Sequence, residues 1–314
     1  MKVALVTPAR AGSRAGNLHT AQRWAGILRA AGHRVDVSQE WDGSGAPDVM
    51  LALHARRSHA SIARFAAAFP SRPLVLALTG TDIYRDIRTS PEARASLRMA
   101  TRFITLQREA ARELPAAMRR KVRVVVQSSA TRLRQAPVHR GFRICVIGHL
   151  REEKDPLRAL EALAQVSPTV AVSVVQAGGA LDPALARRAT AASRSNTRYR
   201  WIGGVPHSRA LALLASSHAM VISSRMEGGA NVVSEAIRIG VPVIASRIPG
   251  NVGLLGRGYA GYFPLGDEAA LARLMARAST DRDFYARLKR QVAALRPMVA
   301  PSNEARLLLA AVAG

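Results

Sequence analysis

Short apolar runs rich in β-branched residues alternate along this chain with longer stretches whose apolar positions recur at helical spacing. Such uninterrupted apolar runs are typical of parallel strands that are buried on both faces. The runs that we interpret as strands are 2–6, 35–37, 49–53, 74–78, 103–106 and 122–126 in the first half, and 142–147, 170–176, 198–202, 219–222 and 241–245 in the second.

The stretches between these runs predict helices, so that strand and helix alternate through the chain. The predicted helices are 17–31 with Asn17 as its cap, 58–68 with Ser58 as its cap, 156–166, 183–194, 208–216 and 231–239. Helical sequence then follows from 267 onward and is broken near Pro297. This order predicts an α/β protein with a doubly wound parallel sheet in each half.

A segment of turn-forming residues at 135–141 separates the two series and predicts a linker. We therefore expect a first domain over 1–138 and a second over 139–296. The final helix, 297–314, is expected to pack back toward the first domain.

Composition supports a folded protein with room for about two domains, since a domain takes roughly 150 residues. Of the 314 residues, 48% are hydrophobic and 21% charged, the ordinary mixture for a globular chain. Cys145 is the single cysteine, which excludes internal disulfides and multi-cysteine metal sites, and its place in a predicted strand indicates an inert core residue. No apolar run approaches the roughly 18 residues of a membrane span, so we expect a cytoplasmic protein.

The formal net charge is +25, and only four of the 46 basic residues are lysines. Such a charge is compatible with binding to nucleic acid or to an anionic membrane. The arginines are nevertheless scattered along the whole chain, and aromatic residues that could stack on bases are few. We therefore predict a preference for small anionic molecules, with no nucleic acid and no stable membrane association, and leave the oligomeric state open.

In an open α/β sheet, ligands bind beyond the carboxyl ends of the strands. A glycine-rich turn follows the first strand and leads into Gly16 and Asn17, where free amides at a helix start favour an anion. The turn lacks the Gly-Lys-Ser/Thr ending of a nucleotide P-loop and the spacing of a dinucleotide fingerprint. A plain tight turn is the alternative interpretation.

Polar residues also follow the third and fourth strands. His54, Arg56 and Arg57 come directly after 49–53, and Thr81 and Asp82 come shortly after 74–78. Two arginines beside a histidine suit an oxyanion, although each arginine is equally compatible with a solvated helix start.

The most specific pattern comes after the strand 219–222, where a small-residue loop leads into a helix and then another strand. Gly228 and Gly229 let the backbone approach a diphosphate, and the helix beginning at Asn231 offers its amides to the same charge. Glu227 and Glu235 flank these residues and are able to accept hydrogen bonds from sugar and ribose hydroxyls.

The spacing Glu227-x7-Glu235, continuing through Gly-Val-Pro-Val at 240–243, resembles the signature of the family 4 glycosyltransferases. The resemblance implies a GT-B architecture, in which two Rossmann-like parallel-sheet domains face a cleft and a C-terminal helix crosses back. It implies that Glu227 holds the donor sugar and Glu235 the ribose. The donor set expected on these grounds is Gly16, Asn17, His149, Gly204, Gly228, Gly229, Ala230, Asn231, Val232 and Glu235.

A second stretch, 148–155, is similar to the family's G-R-L-x-x-x-K-G motif, whose basic residues neutralise the departing diphosphate. Lys154 matches in place. His149 stands where the family has arginine, so Arg151 is expected to supply the second charge. The resemblance therefore implies that Lys154 and Arg151, together with Glu227 and His54, carry the chemistry.

A closer resemblance is to the selenosugar synthases of selenoneine biosynthesis, a group within this family. It rests on the N-terminal segment 8–17 together with 53–57, 78–82 and 148–156. It implies transfer of a hexosamine or hexose from UDP-N-acetylglucosamine or UDP-glucose to selenophosphate, without metal or other cofactor. The acceptor would bind at Arg56, Arg57, Thr81 and Asp82.

Two alternatives remain open at the level of sequence. One is a family 4 hexosyltransferase acting on a lipid, polysaccharide or thiol acceptor. The other is a basic nucleic-acid-binding protein built on the same fold, because a fold does not fix a function.

Overall fold

The computed structural model describes residues 1–9, 16–138 and 140–313. The part of the glycine-rich turn at 10–15, and His139 in the predicted linker, lie outside the described residues. The strands are β1 Lys2–Val6, β2 Arg34–Ser38, β3 Val49–Leu53, β4 Leu74–Leu78, β5 Arg102–Thr105, β6 Val122–Val124, β7 Phe142–Ile147, β8 Val172–Ala177, β9 Tyr199–Trp201, β10 Ala219–Ile222, β11 Val243–Ser246 and β12 Tyr262–Phe263.

Helices connect nearly all of these strands, as the alternation in the sequence predicts. Those longer than one or two turns are α1 Gly16–Ala30, α2 His59–Ala68, α3 Pro91–Met99, α4 Arg158–Gln165, α5 Pro183–Ser195, α6 His207–Ala215, α7 Asn231–Ile239, α8 Pro249–Leu255, α9 Glu268–Thr280, α10 Arg282–Ala294 and α11 Pro301–Ala313. None of the described helices combines the length and the apolar character needed to cross a membrane.

The chain divides into two compact units. Unit 1 contains the described residues of 1–128 together with α11, and its parallel sheet has the order β2-β1-β3-β4-β5-β6. Strands β3 and β4 are buried along their whole length, which explains their uninterrupted apolar sequence.

Unit 2 contains the described residues of 129–300, and its parallel sheet has the order β12-β11-β10-β7-β8-β9. Cys145 lies in the centre of β7 with no exposed surface, and burial raises the pKa of its thiol to about 12. The thiol is therefore un-ionised at neutral pH and belongs to the core.

The last helix, α11, belongs to unit 1, although it follows all of unit 2 in the sequence. Its residues Leu308, Ala311 and Val312 are buried in one apolar cluster with Trp24 of α1. Glu304 on the same helix is 0% exposed and accepts hydrogen bonds from Trp24, Arg23 and Ser128.

The predicted alternation of strands and helices is confirmed, with differences at several boundaries. The units divide between Ser128 and Ser129, earlier than the predicted boundary at 138, because residues 129–138 bond to unit 2: the Gln135 and Ala136 amides donate to Ile239 and Ala215. Helix α1 begins at Gly16, so Asn17 lies inside its first turn and does not precede it. Strand β12 and helices α3 and α8 were not predicted; β12 has only two residues and α8 seven, too few for a recognisable period.

Candidate functional site

In unit 2 the loops after β7 and β10 meet through an ion pair. The Lys154 ammonium donates to Glu227 Oε1 at 2.5 Å, and the Ser224 hydroxyl donates to the same oxygen at 2.6 Å. Glu227 is only 7% exposed, whereas the Lys154 side chain is 24% exposed. The structure thus brings together two residues that the sequence places 73 positions apart and that we predict to be catalytic.

Backbone contacts fix these two loops against each other. The Arg225 amide donates to the Glu153 carbonyl at 2.9 Å, and the Ser223 hydroxyl donates to the Asp155 carbonyl at 2.7 Å. Because the loops are joined at several points, the ammonium and the carboxylate are held together by backbone geometry as well as by their charges.

Gly250 of α8 packs closely against the backbone of Glu227. A Cβ atom at this glycine would lie 2.1 Å from the Glu227 carbonyl oxygen and 2.7 Å from the Glu227 Cβ. No residue with a side chain fits without displacement of that backbone, so Gly250 lets α8 approach the loop closely.

The predicted diphosphate-binding stretch precedes α7 and forms its start. Ala230 occupies the N-cap position and provides no side-chain oxygen to the helix amides. Gly228 and Ala230 are buried, while Gly229, Asn231 and Val232 are partly exposed. A helix start without a capping side chain favours a bound anion, because its amides and its dipole both attract negative charge.

Two further predicted donor residues, His149 and Gly204, and the predicted catalytic residue Arg151 lie on neighbouring loops of unit 2. His149, after β7, is partly buried, and among the described residues its Nδ1 atom has no hydrogen-bond partner although that atom is buried. The side chain of Arg151 is exposed, and Gly204 lies exposed beyond β9. The contact of Arg151 and Gly204 with a donor stays a prediction.

Glu235, on α7, is held by a residue that the sequence analysis did not select. His207 at the start of α6 has its Nε2 atom 2.8 Å from Glu235 Oε1. The bond to this carboxylate raises the pKa of the His207 imidazole above its usual value. The Glu235 side chain is 16% exposed, so it retains an accessible edge.

In unit 1, a polar cluster follows β3 and β4. The Asp82 carboxylate is 0% exposed and accepts from the amides of Ala55 at 3.2 Å, Thr79 at 3.0 Å and Gly80 at 2.8 Å. These amides fill the acceptor positions of the Asp82 carboxylate, which therefore holds together the loops that follow β3 and β4. This differs from the prediction that Asp82 contacts the acceptor, because burial cannot be read from the sequence.

A second buried aspartate, Asp86, holds the cationic part of this cluster. It accepts from Arg56 Nε at 2.9 Å and from Arg85 Nε at 3.1 Å. Burial opposes ionisation of Asp86, but the two guanidinium bonds outweigh it and keep the pKa of the carboxyl below its usual value. Arg56 is thereby oriented while 42% of its side chain stays exposed. Arg57 is exposed as well, so both predicted arginines are accessible to an anion.

His54 lies beneath these arginines and is 3% exposed. Its backbone φ is +75°, a left-handed conformation that is costly for a residue other than glycine and is often found at functional sites. Its Nε2 atom is 3.2 Å from the Thr81 hydroxyl, and its Nδ1 accepts weakly from the Arg57 amide at 3.4 Å. Burial lowers the pKa of the imidazole, so the ring is neutral at neutral pH. With Nδ1 accepting, Nε2 carries the proton and is a donor.

Gly16 and Asn17 lie at the start of α1, exposed and partly exposed respectively. Their predicted contact with an anion stays a prediction. Four residues escaped the sequence analysis, namely Ser224, His207, Asp86 and Gly250. Ser224 and Gly250 carry the positional signal that identified the other sites, since both lie just beyond the carboxyl end of a strand.

Two groups of solved structures share the fold of this chain. HepE of Anabaena, solved with UDP and with UDP and glucose, superposes with TM-scores of 0.78 and 0.76 at 16% identity, covering 99% of this chain and 98 to 99% of HepE. Sucrose-phosphate synthase of Thermosynechococcus elongatus superposes with a TM-score of 0.69 at 16% identity, over 98% of this chain and 96% of that one. At these identities the likeness shows the GT-B fold, which confirms the predicted fold class.

Sequence relationships extend the comparison to a family. A curated relative, glycosyltransferase 1 domain-containing protein 1 of Xenopus tropicalis, is 26% identical over 200 residues, which are 56% of this chain and 57% of the relative. The chain thus spans little more than half the length of that relative. The family model of the glycosyl transferases group 1 matches residues 130–294, which include Lys154, Glu227 and Glu235. This chain belongs to the glycosyl transferases group 1 family.

Proposed function

We propose that this protein is a glycosyltransferase that takes a hexosamine or hexose from a UDP-sugar, with the donor bound in unit 2. The observation that carries the proposal is the pairing of Lys154 with Glu227 beside an uncapped helix start. This arrangement supplies a carboxylate for sugar hydroxyls, a cation for the diphosphate and amides for its oxygens. The solved HepE complexes with UDP and UDP-glucose support this choice of donor.

The chemistry follows from the charges of these groups. Breaking the bond between the sugar and the diphosphate leaves negative charge on the departing β-phosphate. In this proposal Lys154 neutralises that charge, with exposed Arg151 as the second cation. Glu227 orients the sugar, and Glu235 accepts from the ribose hydroxyls.

We further propose that selenophosphate is the acceptor, giving a 1-selenosugar. The selenium attacks the anomeric carbon, the bond from that carbon to the UDP oxygen breaks, and UDP leaves with the electron pair. Water then cleaves the selenium–phosphorus bond, which releases phosphate and the selenol. An anionic selenium needs no base to remove a proton, which agrees with the neutral, donating state of His54.

The residues that support an anionic acceptor are those of unit 1. Arg56 is anchored by Asp86 with its side chain 42% exposed, and Arg57 is exposed beside it. The His54 Nε2 atom donates to the Thr81 hydroxyl oxygen at 3.2 Å, so the Thr81 O–H is left as a further donor. Such a group of fixed donors and cations suits a tetrahedral oxyanion.

The test is an anaerobic incubation of the purified protein with selenophosphate and either UDP-N-acetylglucosamine or UDP-glucose, followed by mass spectrometry for UDP and for a selenium-containing sugar. Both products are expected, and Lys154→Ala is expected to reduce turnover about 100-fold or more. Lys289→Ala is the control, since Lys289 is an exposed lysine of the same unit.

Two results separate the parts of the proposal. UDP release with a lipid, polysaccharide or thiol acceptor, and none with selenophosphate, would refute the acceptor and leave the donor standing. Absence of any binding of uridine nucleotides, with tight salt-dependent binding of duplex DNA, would refute the transferase function itself.

A further inference from the structure

Among the described residues, His207 is the hydrogen-bond partner of the Glu235 carboxylate. The imidazole Nε2 and Glu235 Oε1 are 2.8 Å apart, and the two side chains differ greatly in exposure, 70% for His207 and 16% for Glu235. An exposed side chain therefore reaches inward to a carboxylate that is mostly covered. A surface ion pair between two solvated groups would not show this asymmetry.

The position of His207 is fixed by its own backbone. Pro206 precedes it at the N-cap of α6, and the Pro206 carbonyl accepts from the amides of Arg209 and Ala210. Helix α6 packs against α7, which carries Glu235. The imidazole thus extends from a hydrogen-bonded helix start that lies against the helix carrying Glu235.

This contact uses one side of the carboxylate and leaves the other available. His207 engages Oε1, while Oε2 has no protein partner among the described residues. A carboxylate offers about four acceptor positions, so Oε2 can still accept hydrogen bonds from the vicinal hydroxyls of a ribose. A glutamate without such a partner would sample several rotamers, and only some of them direct Oε2 toward a ligand.

We propose that His207 is a positioning residue that orients Glu235 and thereby selects ribonucleotides over 2′-deoxyribonucleotides. The inference rests on the proposed function, because it takes Glu235 as the group that binds the ribose. His207 acts through Glu235 and does not itself contact the reacting atoms. A donor that bonds one oxygen of a ligand-binding carboxylate fixes its direction in the same way that outer-shell partners orient metal ligands.

The test compares UDP with 2′-deoxy-UDP by titration calorimetry on the full chain. The wild-type protein is expected to prefer UDP. His207→Ala is expected to reduce that preference about fivefold, the value of one lost hydrogen bond. His207→Gln retains an N–H donor of similar reach and is expected to restore most of the preference. Arg209→Ala alters an exposed residue on the same helix and should leave the preference unchanged.

Steady-state kinetics give a second readout. Loss of positioning raises KM for the UDP-sugar and leaves kcat within about twofold, because ribose binding is the same in the ground state and the transition state. A preference for UDP that is unchanged in His207→Ala would overturn the inference. The inference would also be overturned if kcat of His207→Ala fell by the same factor as KM rose and His207→Gln did not restore it, since that result indicates general damage to the site.

The same experiment distinguishes failure of the inference from failure of the proposed function. If the wild-type protein binds UDP and Glu235→Ala abolishes the preference for UDP, the donor site is as proposed and only the variants of His207 decide the inference. If the wild-type protein does not bind UDP, the proposed function fails and the inference falls with it.

Discussion

Two buried glutamates, one in each unit, use their carboxylates in different ways. Glu304 in unit 1 is 0% exposed, and both of its oxygens are occupied by donors from Trp24, Arg23 and Ser128. Glu227 in unit 2 is 7% exposed, and both of its donors share Oε1. Among the described residues Oε2 of Glu227 has no partner, so this carboxylate keeps capacity for a ligand.

The comparison shows what separates structural from functional charges in this protein. A buried carboxylate whose acceptor positions are all filled contributes to stability, and its removal leaves donors unsatisfied in the interior. A buried carboxylate with an unused oxygen is costly to keep unless something else binds there. By this criterion the carboxylates of Glu304 and Asp82 are filled, whereas Glu227 keeps an unused oxygen, and its contact with a substrate stays a prediction.

The largest effect is expected for Glu304→Ala. Removal of the carboxylate leaves the Trp24 indole, the Arg23 guanidinium and the Ser128 amide and hydroxyl without their acceptor, and the free energy of unfolding of unit 1 should fall by about 3–5 kcal/mol. Denaturant unfolding followed by tryptophan fluorescence measures this loss. Glu304→Gln keeps the shape and one acceptor oxygen and should lose less. Equal stability of the alanine variant and the wild-type protein would remove the basis for calling Glu304 structural.

Glu227→Gln is expected to show the opposite behaviour. The substitution keeps the shape of the side chain and an acceptor oxygen for Ser224 and Lys154, and Lys154 is partly exposed to solvent, so the free energy of unfolding should change by less than about 1 kcal/mol. Turnover of the UDP-sugar should fall about 100-fold, which corresponds to roughly 2.7 kcal/mol of transition-state stabilisation. Denaturant unfolding and initial rates on the same preparations test both parts. A variant that loses stability but not activity would place Glu227 in the same class as Glu304.

The sequence predicts the architecture well, because buried parallel strands are continuous apolar runs whatever surrounds them. Strands β1, β3, β4, β7 and β10 have the predicted bounds. Motif spacing also selects Glu227 and Lys154, which the structure pairs, while their roles stay predictions. The sequence does not reveal Glu304, whose partners lie up to 281 positions away and meet it only in the folded chain. The sequence also predicts Asp82 as an acceptor-binding group, because the complete burial of its carboxylate is not visible in the local sequence.

Gly250→Ala is expected to have an intermediate effect. Its Cβ would lie 2.1 Å from the Glu227 carbonyl oxygen, so the loop or α8 must move, at a cost of roughly 1–3 kcal/mol. Because the movement displaces Glu227, turnover should fall about tenfold or more.

Gly258→Ala is the matched control, since a Cβ at Gly258 meets no other heavy atom within 4 Å. Initial rates of the two variants under saturating donor make the comparison. Equal rates for both variants would show that the position of Glu227 tolerates displacement, contrary to the fixed geometry described above.

The smallest effect is expected in the pH dependence of unit 1. Burial lowers the pKa of His54, so the unfolded chain takes up a proton that the folded protein excludes. The free energy of unfolding should therefore decrease as pH falls through the ordinary histidine range near 6.5. Asp86, whose pKa is also lowered, loses its contribution only at more acid pH, below the ordinary aspartate value, and does not interfere.

Denaturation midpoints at about pH 7.5 and about pH 5.5 bracket this range. His54→Asn removes the titrating ring and keeps a residue that tolerates the left-handed backbone, so its midpoints should differ less between the two pH values than those of the wild-type protein. The other histidines are present in both proteins, so their contribution to the pH dependence cancels when the two are compared. Identical pH dependence would mean that His54 is open to protons in the folded state.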